Sequence, residues 1–200
     1  MRRVNLFVII FALFLNYGCA ALKPKPPTIT KDSFQDNNYP CFKVVFDREY
    51  EFKKKLSHVN DSGYAKIYLF EKYTNDLFVS KSETRRGIWK VGPLSSQIYD
   101  KKIIYSKENK NVSGVLYLIK IDNSYMLSVF VTNRISDDYY AGVERYFPLL
   151  GSNSDISLDE AVELVKDEKY SVANGIEDKK KIVDHYVNNI KKIDCPDKGE

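Results

Sequence analysis

A chain of 200 residues with 44% hydrophobic and 14% aromatic side chains has the apolar content of one folded domain, which excludes a disordered chain. Its formal net charge is +4. With Arg2 and Arg3 assigned to an N-terminal leader, 31 basic residues less two leave 29 against 27 acidic, a balance that excludes a charge-driven nucleic-acid binder.

The N-terminus reads Met1-Arg2-Arg3, an apolar run from Leu6 to Leu15, then Asn16-Tyr17-Gly18-Cys19-Ala20. A cationic start followed by an apolar run too short to span a bilayer is the grammar of a secretory signal. The small Gly18 before Cys19 resembles the lipobox of bacterial lipoproteins, in which the thiol takes diacylglycerol and becomes the new N-terminus. Asn16 stands where that family prefers Leu, with Leu15 one residue earlier. Gly18-Cys19-Ala20 also fits ordinary cleavage after Ala20, and a retained anchor is the third option. The resemblance covers only this leader. It implies a signal peptide over 1–18, lipid on Cys19 and a membrane partner through that lipid. It also implies a periplasm-facing address, and Ala20 in place of Asp implies the outer membrane.

With Cys19 acylated, Cys41 and Cys195 remain as one pair. In an oxidising periplasm they are expected to join and to close most of the mature chain into one loop. Such a bond is worth up to roughly 5 kcal/mol in the chain-entropy model. Leu22 to Asn38 reads as a tether, extended by Pro24, Pro26 and Pro27 and solvated by Lys23, Lys25 and Lys31. At full stretch it reaches at most about 50 Å. Residues 19–40 are therefore expected to be lipidated Cys and tether, and 41–200 one globular domain.

The domain opens with a strand over Phe42–Phe46, bounded by Pro40 and Asp47. Tyr50 to Leu56, with Lys53-Lys54-Lys55, fits an edge strand or a helical turn. Tyr64–Tyr73 and Leu77–Ser80 flank Thr74-Asn75-Asp76 as a hairpin. Short strands follow at Gly87–Val91 and Lys102–Ser106. Val115–Ile121 and Tyr125–Thr132, joined by Asp122-Asn123-Ser124, form the strongest hairpin, and their apolar runs predict the centre of the sheet. Asp138 to Leu150 supports no assignment. Ser157 and Glu160 form a capping box for a helix to about Asp167, with Ile156 positioned to staple onto Ala161. A second helix is expected from about Glu177 to Ile193, with Ile182, Val183, Tyr186, Val187, Ile190 and Ile193 as its apolar stripe. Short turns require antiparallel order. The expected fold class is α+β, an antiparallel sheet of about six strands with two C-terminal helices packed on it.

Chemistry is sparse. His58 and His185 read as surface residues without triad or zinc partners, and neither a Gly-x-Ser-x-Gly elbow nor a phosphate loop occurs. Asp155-Ile156-Ser157-Leu158-Asp159 has oxygen ligands at alternate positions, but Glu160 and Lys166 break the calcium-loop pattern and the helix cap explains the same residues. No metal or cofactor is expected. Glu49 with Glu51, and Asp137 with Asp138, are carboxylate pairs of the kind glycan hydrolysis uses; solvated loop charge explains them equally. Lys81, Arg85, Arg86 and Lys90 surround Trp89, and of these Arg85, Arg86, Trp89 and Lys90 form a possible binding patch. The alternative is a core Trp89 beside a solvated basic turn. The expected function is a non-enzymatic protein-interaction or assembly factor of the envelope. A carboxylate-based hydrolase of an envelope glycan and a small-ligand carrier are the alternatives.

Overall fold

The computed structural model describes residues 24–60, 63–72, 75–84, 100–121, 124–149, 156–167 and 175–196. The strands are β1 (Thr28–Ile29), β2 (Ser33–Asp36), β3 (Phe42–Val45), β4 (Glu51–Asn60), β5 (Gly63–Lys72), β6 (Asn75–Thr84), β7 (Lys101–Asn109), β8 (Val112–Ile121), β9 (Ser124–Arg134), β10 (Tyr139–Pro148) and β11 (Ile190–Lys192). The helices are α1 (Leu158–Lys166) and α2 (Gly175–Asn189). The α+β class with C-terminal helices holds, but the strands form two antiparallel sheets. The smaller has the order β1-β2-β3-β11 and the larger β4-β5-β6-β10-β9-β8-β7.

Both sheets and both helices share one hydrophobic core. The small sheet covers one half of the inner face of the large sheet. Phe34 meets Tyr68 at 4.5 Å between ring centroids, and Phe46 meets Phe70 at 5.0 Å. Helix α2 covers the other half, over β7, β8 and β9. Its buried stripe is Ile176, Ile182, Val183, Tyr186 and Val187. Gly114 on β8 permits this approach: a Cβ there would stand 2.6 Å from Val187 Cγ2 and 2.8 Å from Val183 Cγ1. Ser157 caps α1, its Oγ accepting from the Glu160 N–H at 3.2 Å, as the capping box predicts.

The predicted central hairpin is displaced. The fourth of seven strands is β10, the segment left unassigned, with β9 and β8 beyond it. Its sequence hid this because Glu144 and Arg145 interrupt the apolar pattern; both are buried, Arg145 against Asp47, 98 residues away, and Glu144 against the Tyr146 hydroxyl of the same strand. Part of the stretch expected as tether is folded. Residues 28–29 and 33–36 are strands, and Phe34 is fully buried, because alternation in Ser33-Phe34-Gln35-Asp36 sends Phe34 inward. The second helix ends at Asn189 and not at Ile193. Asn188 and Asn189 side-chain amides donate to the Asp184 and His185 carbonyls at 2.8 Å each, and Ile190 then pairs with Val44 in β11. These amides turn back onto the preceding turn of the helix as the chain leaves it for the strand.

Both edges of the large sheet are blunted. Register shifts fall between Phe52 and Lys54 on β4 and between Ile103 and Tyr105 on β7, and both strands carry lysines. Bulges and edge lysines oppose pairing with another sheet. Tyr50–Leu56 is thus the edge strand that was one of its two readings. Cys41 and Cys195 form a disulfide with Cα atoms 5.2 Å apart, fastening the start of β3 to the segment after β11 across 154 residues of sequence.

Candidate functional site

Two polar clusters close the ends of the apolar band between the sheets. At one end, β3 runs out into Asp47, and β10 presents Arg145 from the large sheet. Arg145 Nη1 donates to Asp47 Oδ2 at 2.6 Å, and Arg48 Nε donates to the same oxygen at 3.1 Å. Oδ1 accepts from the Tyr186 hydroxyl of α2 at 2.6 Å and from the Tyr50 hydroxyl at 3.2 Å. Burial by itself would raise the Asp47 carboxyl; Arg145, Tyr186 and Arg48 outweigh it and hold the group below the ordinary carboxylate value. Burial, joined by the Asp47 charge, pushes the Tyr50 and Tyr186 hydroxyls up.

Arg145 is fully buried and lies 4.6 Å from the Phe147 ring centroid and 5.5 Å from that of Tyr50. Lys179 of α2 is also buried, 4.6 Å from the Phe147 centroid, with Asp178 Oδ2 at 3.2 Å. Burial, with Arg145 and Arg48 nearby, lowers the Lys179 ammonium. The cluster is an inward-facing clamp in which one carboxylate joins the small sheet, the large sheet and α2. Its contacts fasten these elements to one another, and Tyr50 also borders an open cleft.

At the other end, Lys81 lies inside and not on the basic turn the sequence suggested. It is 5% exposed, with Nζ 3.5 Å from the fully buried Asp36 Oδ2 and 2.7 Å from the Asn38 carbonyl it donates to. The remaining members of the patch, Arg85, Arg86, Trp89 and Lys90, lie outside the described residues, as do the Gly87–Val91 strand, Cys19 and Asp155.

An open cleft of about 250 Å³ borders the Asp47 cluster, lined by Lys31, Glu49, Tyr50, Glu51, Lys53, Glu71 and Lys72. Glu49 and Glu51 both line it, joined by Glu71 from β5. A general acid needs a carboxyl kept protonated by an apolar or like-charged surround. Here Lys53 Nζ lies 3.1 Å from Glu71 and 3.6 Å from Glu51, and hydrogen bonding to Glu71 raises its own ammonium. The second pair is apart from any such cleft: Asp137 is exposed at the β9–β10 turn, 3.1 Å from Arg134. Phe52, 42% exposed, lies between Glu51 and Lys53 in sequence and packs edge-on to Phe70 at 5.6 Å.

His58 falls on β4, paired in register with Ala65, and not in a turn. His185 is more engaged than a surface histidine, since its Nε2 donates to the Val45 carbonyl at 2.9 Å and ties α2 to β3. Asp184 beside it accepts from Tyr105 and Lys107 of β7 at 2.9 Å each. Among the described residues there is no group of three His, Cys, Asp or Glu able to hold a metal and no helix long and apolar enough to cross a membrane. Compared with protein-family models, curated proteins and solved structures, the chain matches none.

Proposed function

We propose that the protein is an exported lipoprotein, anchored through Cys19, that binds a protein partner in the bacterial envelope without catalysing a reaction. Export is supported by the Cys41–Cys195 disulfide, a bond that persists in oxidising compartments. The binding reading rests on one observation. Three glutamates and three lysines line the open cleft together with Tyr50, and the exposed Phe52 is the sequence neighbour of Glu51 and Lys53. Mixed charge around an aromatic anchor is the makeup of a polar protein interface, whereas a small-ligand site is concave and mostly apolar.

The test places a photocrosslinking phenylalanine analogue at position 52, in the native envelope. A control places it at Ile103, which is 61% exposed on the opposite edge of the sheet. A discrete adduct at 52, absent at 103, is expected. No adduct at 52, or the same adducts at both positions, refutes the reading. The three glutamates favour the hydrolase as the second reading. Release of glycan fragments by the purified protein, abolished by Glu49→Gln or Glu51→Gln, would establish it instead.

A further inference from the structure

We infer that the end of the domain bearing Lys25, Tyr39 and Lys192 rests on an anionic phospholipid surface. This depends on the anchor at Cys19 and says which face the anchor brings down. The folded body begins at once after the leader. The Lys25 N–H donates to Asn38 Oδ1 at 2.8 Å, Asn38 Nδ2 donates to the Lys25 carbonyl at 2.7 Å, and Lys25 Nζ donates to the Pro196 carbonyl at 2.8 Å. Only residues 20–23 separate Cys19 from Pro24. Five Cα steps reach no more than about 18 Å. The headgroup layer itself takes up roughly 5–8 Å on each side of the hydrocarbon. Less that layer, an acylated Cys19 holds the chain-entry end of the domain within about 10–13 Å of the headgroups.

That end is built for such a neighbour. Tyr39 is 77% exposed, the most exposed of the large hydrophobic residues described. Its loop is held from beneath. Asp36 Oδ1 accepts from the Asn38 backbone at 2.9 Å and its side chain at 3.0 Å, and Lys81 Nζ donates to the Asn38 carbonyl. The Cys41–Cys195 bond fastens the loop to the segment after β11. An aromatic ring with a polar tip, held outward on a firm loop, suits the membrane–water interface. Lys191 and Lys192 are exposed on β11, where Lys192 pairs in register with Phe42 beside the disulfide. Lys25 adds a third cation, against the exposed Asp194 and the β9–β10 turn at the same end, which carries Asp138 and an Asp137 paired with Arg134, and clustered lysines at a membrane surface favour anionic lipid.

The test uses the full lipidated chain on phosphatidylcholine vesicles with and without phosphatidylglycerol. Trp89→Phe removes the native tryptophan, and Tyr39→Trp or Phe52→Trp then reports depth through quenching by brominated lipid. Phe52 lies at the Arg145 end of the sheet, away from the Asn38 end, by the register Phe52–Phe70–Leu77–Arg145. Quenching at 39 is expected to exceed that at 52 several-fold. It should deepen with phosphatidylglycerol and weaken with Lys191→Glu and Lys192→Glu. Equal quenching at both positions, or none at 39 in a chain that floats with the vesicles, overturns the inference and leaves the anchor standing. A chain shown by mass spectrometry to lack the acyl group overturns both. If the Trp89→Phe background does not fold, hydroxyl-radical footprinting of the unsubstituted protein reads the same contact, as protection of Tyr39 with Phe52 unprotected.

Discussion

Replacing Arg145 with Met removes a fully buried guanidinium from the Asp47 clamp. Breaking a buried ion pair from one side costs about 3–5 kcal/mol, because the remaining charge is left unpaired in a poor solvent. Asp47 would keep Arg48 at 3.1 Å and the hydroxyls of Tyr186 and Tyr50, which places the expected loss near 3 kcal/mol, at the low end of that range. Methionine fills much of the same volume, so the cavity contribution is small. Urea denaturation followed by circular dichroism, with the disulfide intact, measures the loss. Asp47→Asn in the Arg145→Met background removes the stranded charge, so the double variant should be more stable than the two single losses predict. The pH dependence follows from the sign of the Asp47 shift. Its native carboxyl is held below the ordinary value. The unfolded chain therefore takes up the proton first, and the stabilisation is full above about pH 4 and fades as pH falls through the native value. Arg145→Met should flatten that acid limb. A loss below about 0.5 kcal/mol, the scale of an ordinary surface change, or strict additivity of the two substitutions, would refute the clamp.

Ile190→Ala should cost about 2–5 kcal/mol by the same assay, since Ile190 is buried where β11 joins β3. His185→Ala should cost about 1 kcal/mol through the lost bond to the Val45 carbonyl, where the sequence alone predicts a neutral change. Gly114→Ala should destabilise by about 1–3 kcal/mol, because the new methyl group meets Val187 and Val183; an unchanged urea midpoint would mean that α2 does not sit as close. Reduction of Cys41–Cys195 should lower stability by about 2–5 kcal/mol, read as a shift of the midpoint in dithiothreitol.

The parts of the fold legible in the sequence are those set by local chemistry. The Ser157 cap, the Ile182–Val187 stripe and the hairpin of β8 and β9 follow from spacing within one element or one turn, while the lysine run of β4 leaves an edge strand and a helical turn both open. The Cys41–Cys195 bond was legible because assigning Cys19 to a lipid leaves the other two cysteines as an even pair. What escaped was chemistry shared between distant segments. Arg145 looks like an interruption in β10 until Asp47, 98 residues away, is seen beneath it. Lys81 looks like part of a solvated turn until Asp36 and Asn38 cover it. Strands β1 and β2 fall in the stretch that reads as tether because Pro24, Pro26 and Pro27 dominate it and these strands are only two and four residues long. In the cleft, Glu49 and Glu51 were visible as a pair, but Glu71 and the bridging Lys53 meet them only through the β4–β5 register.

The most direct test of a lipid-anchored envelope protein is metabolic labelling with palmitate in a Gram-negative host, comparing the native chain with Cys19→Ala and determining the mature N-terminus by mass spectrometry. The native chain should carry the label on an N-terminal Cys19 and fractionate with membranes, and Cys19→Ala should lose both. An unlabelled native chain beginning after Ala20, or a label that survives Cys19→Ala, would contradict the anchor.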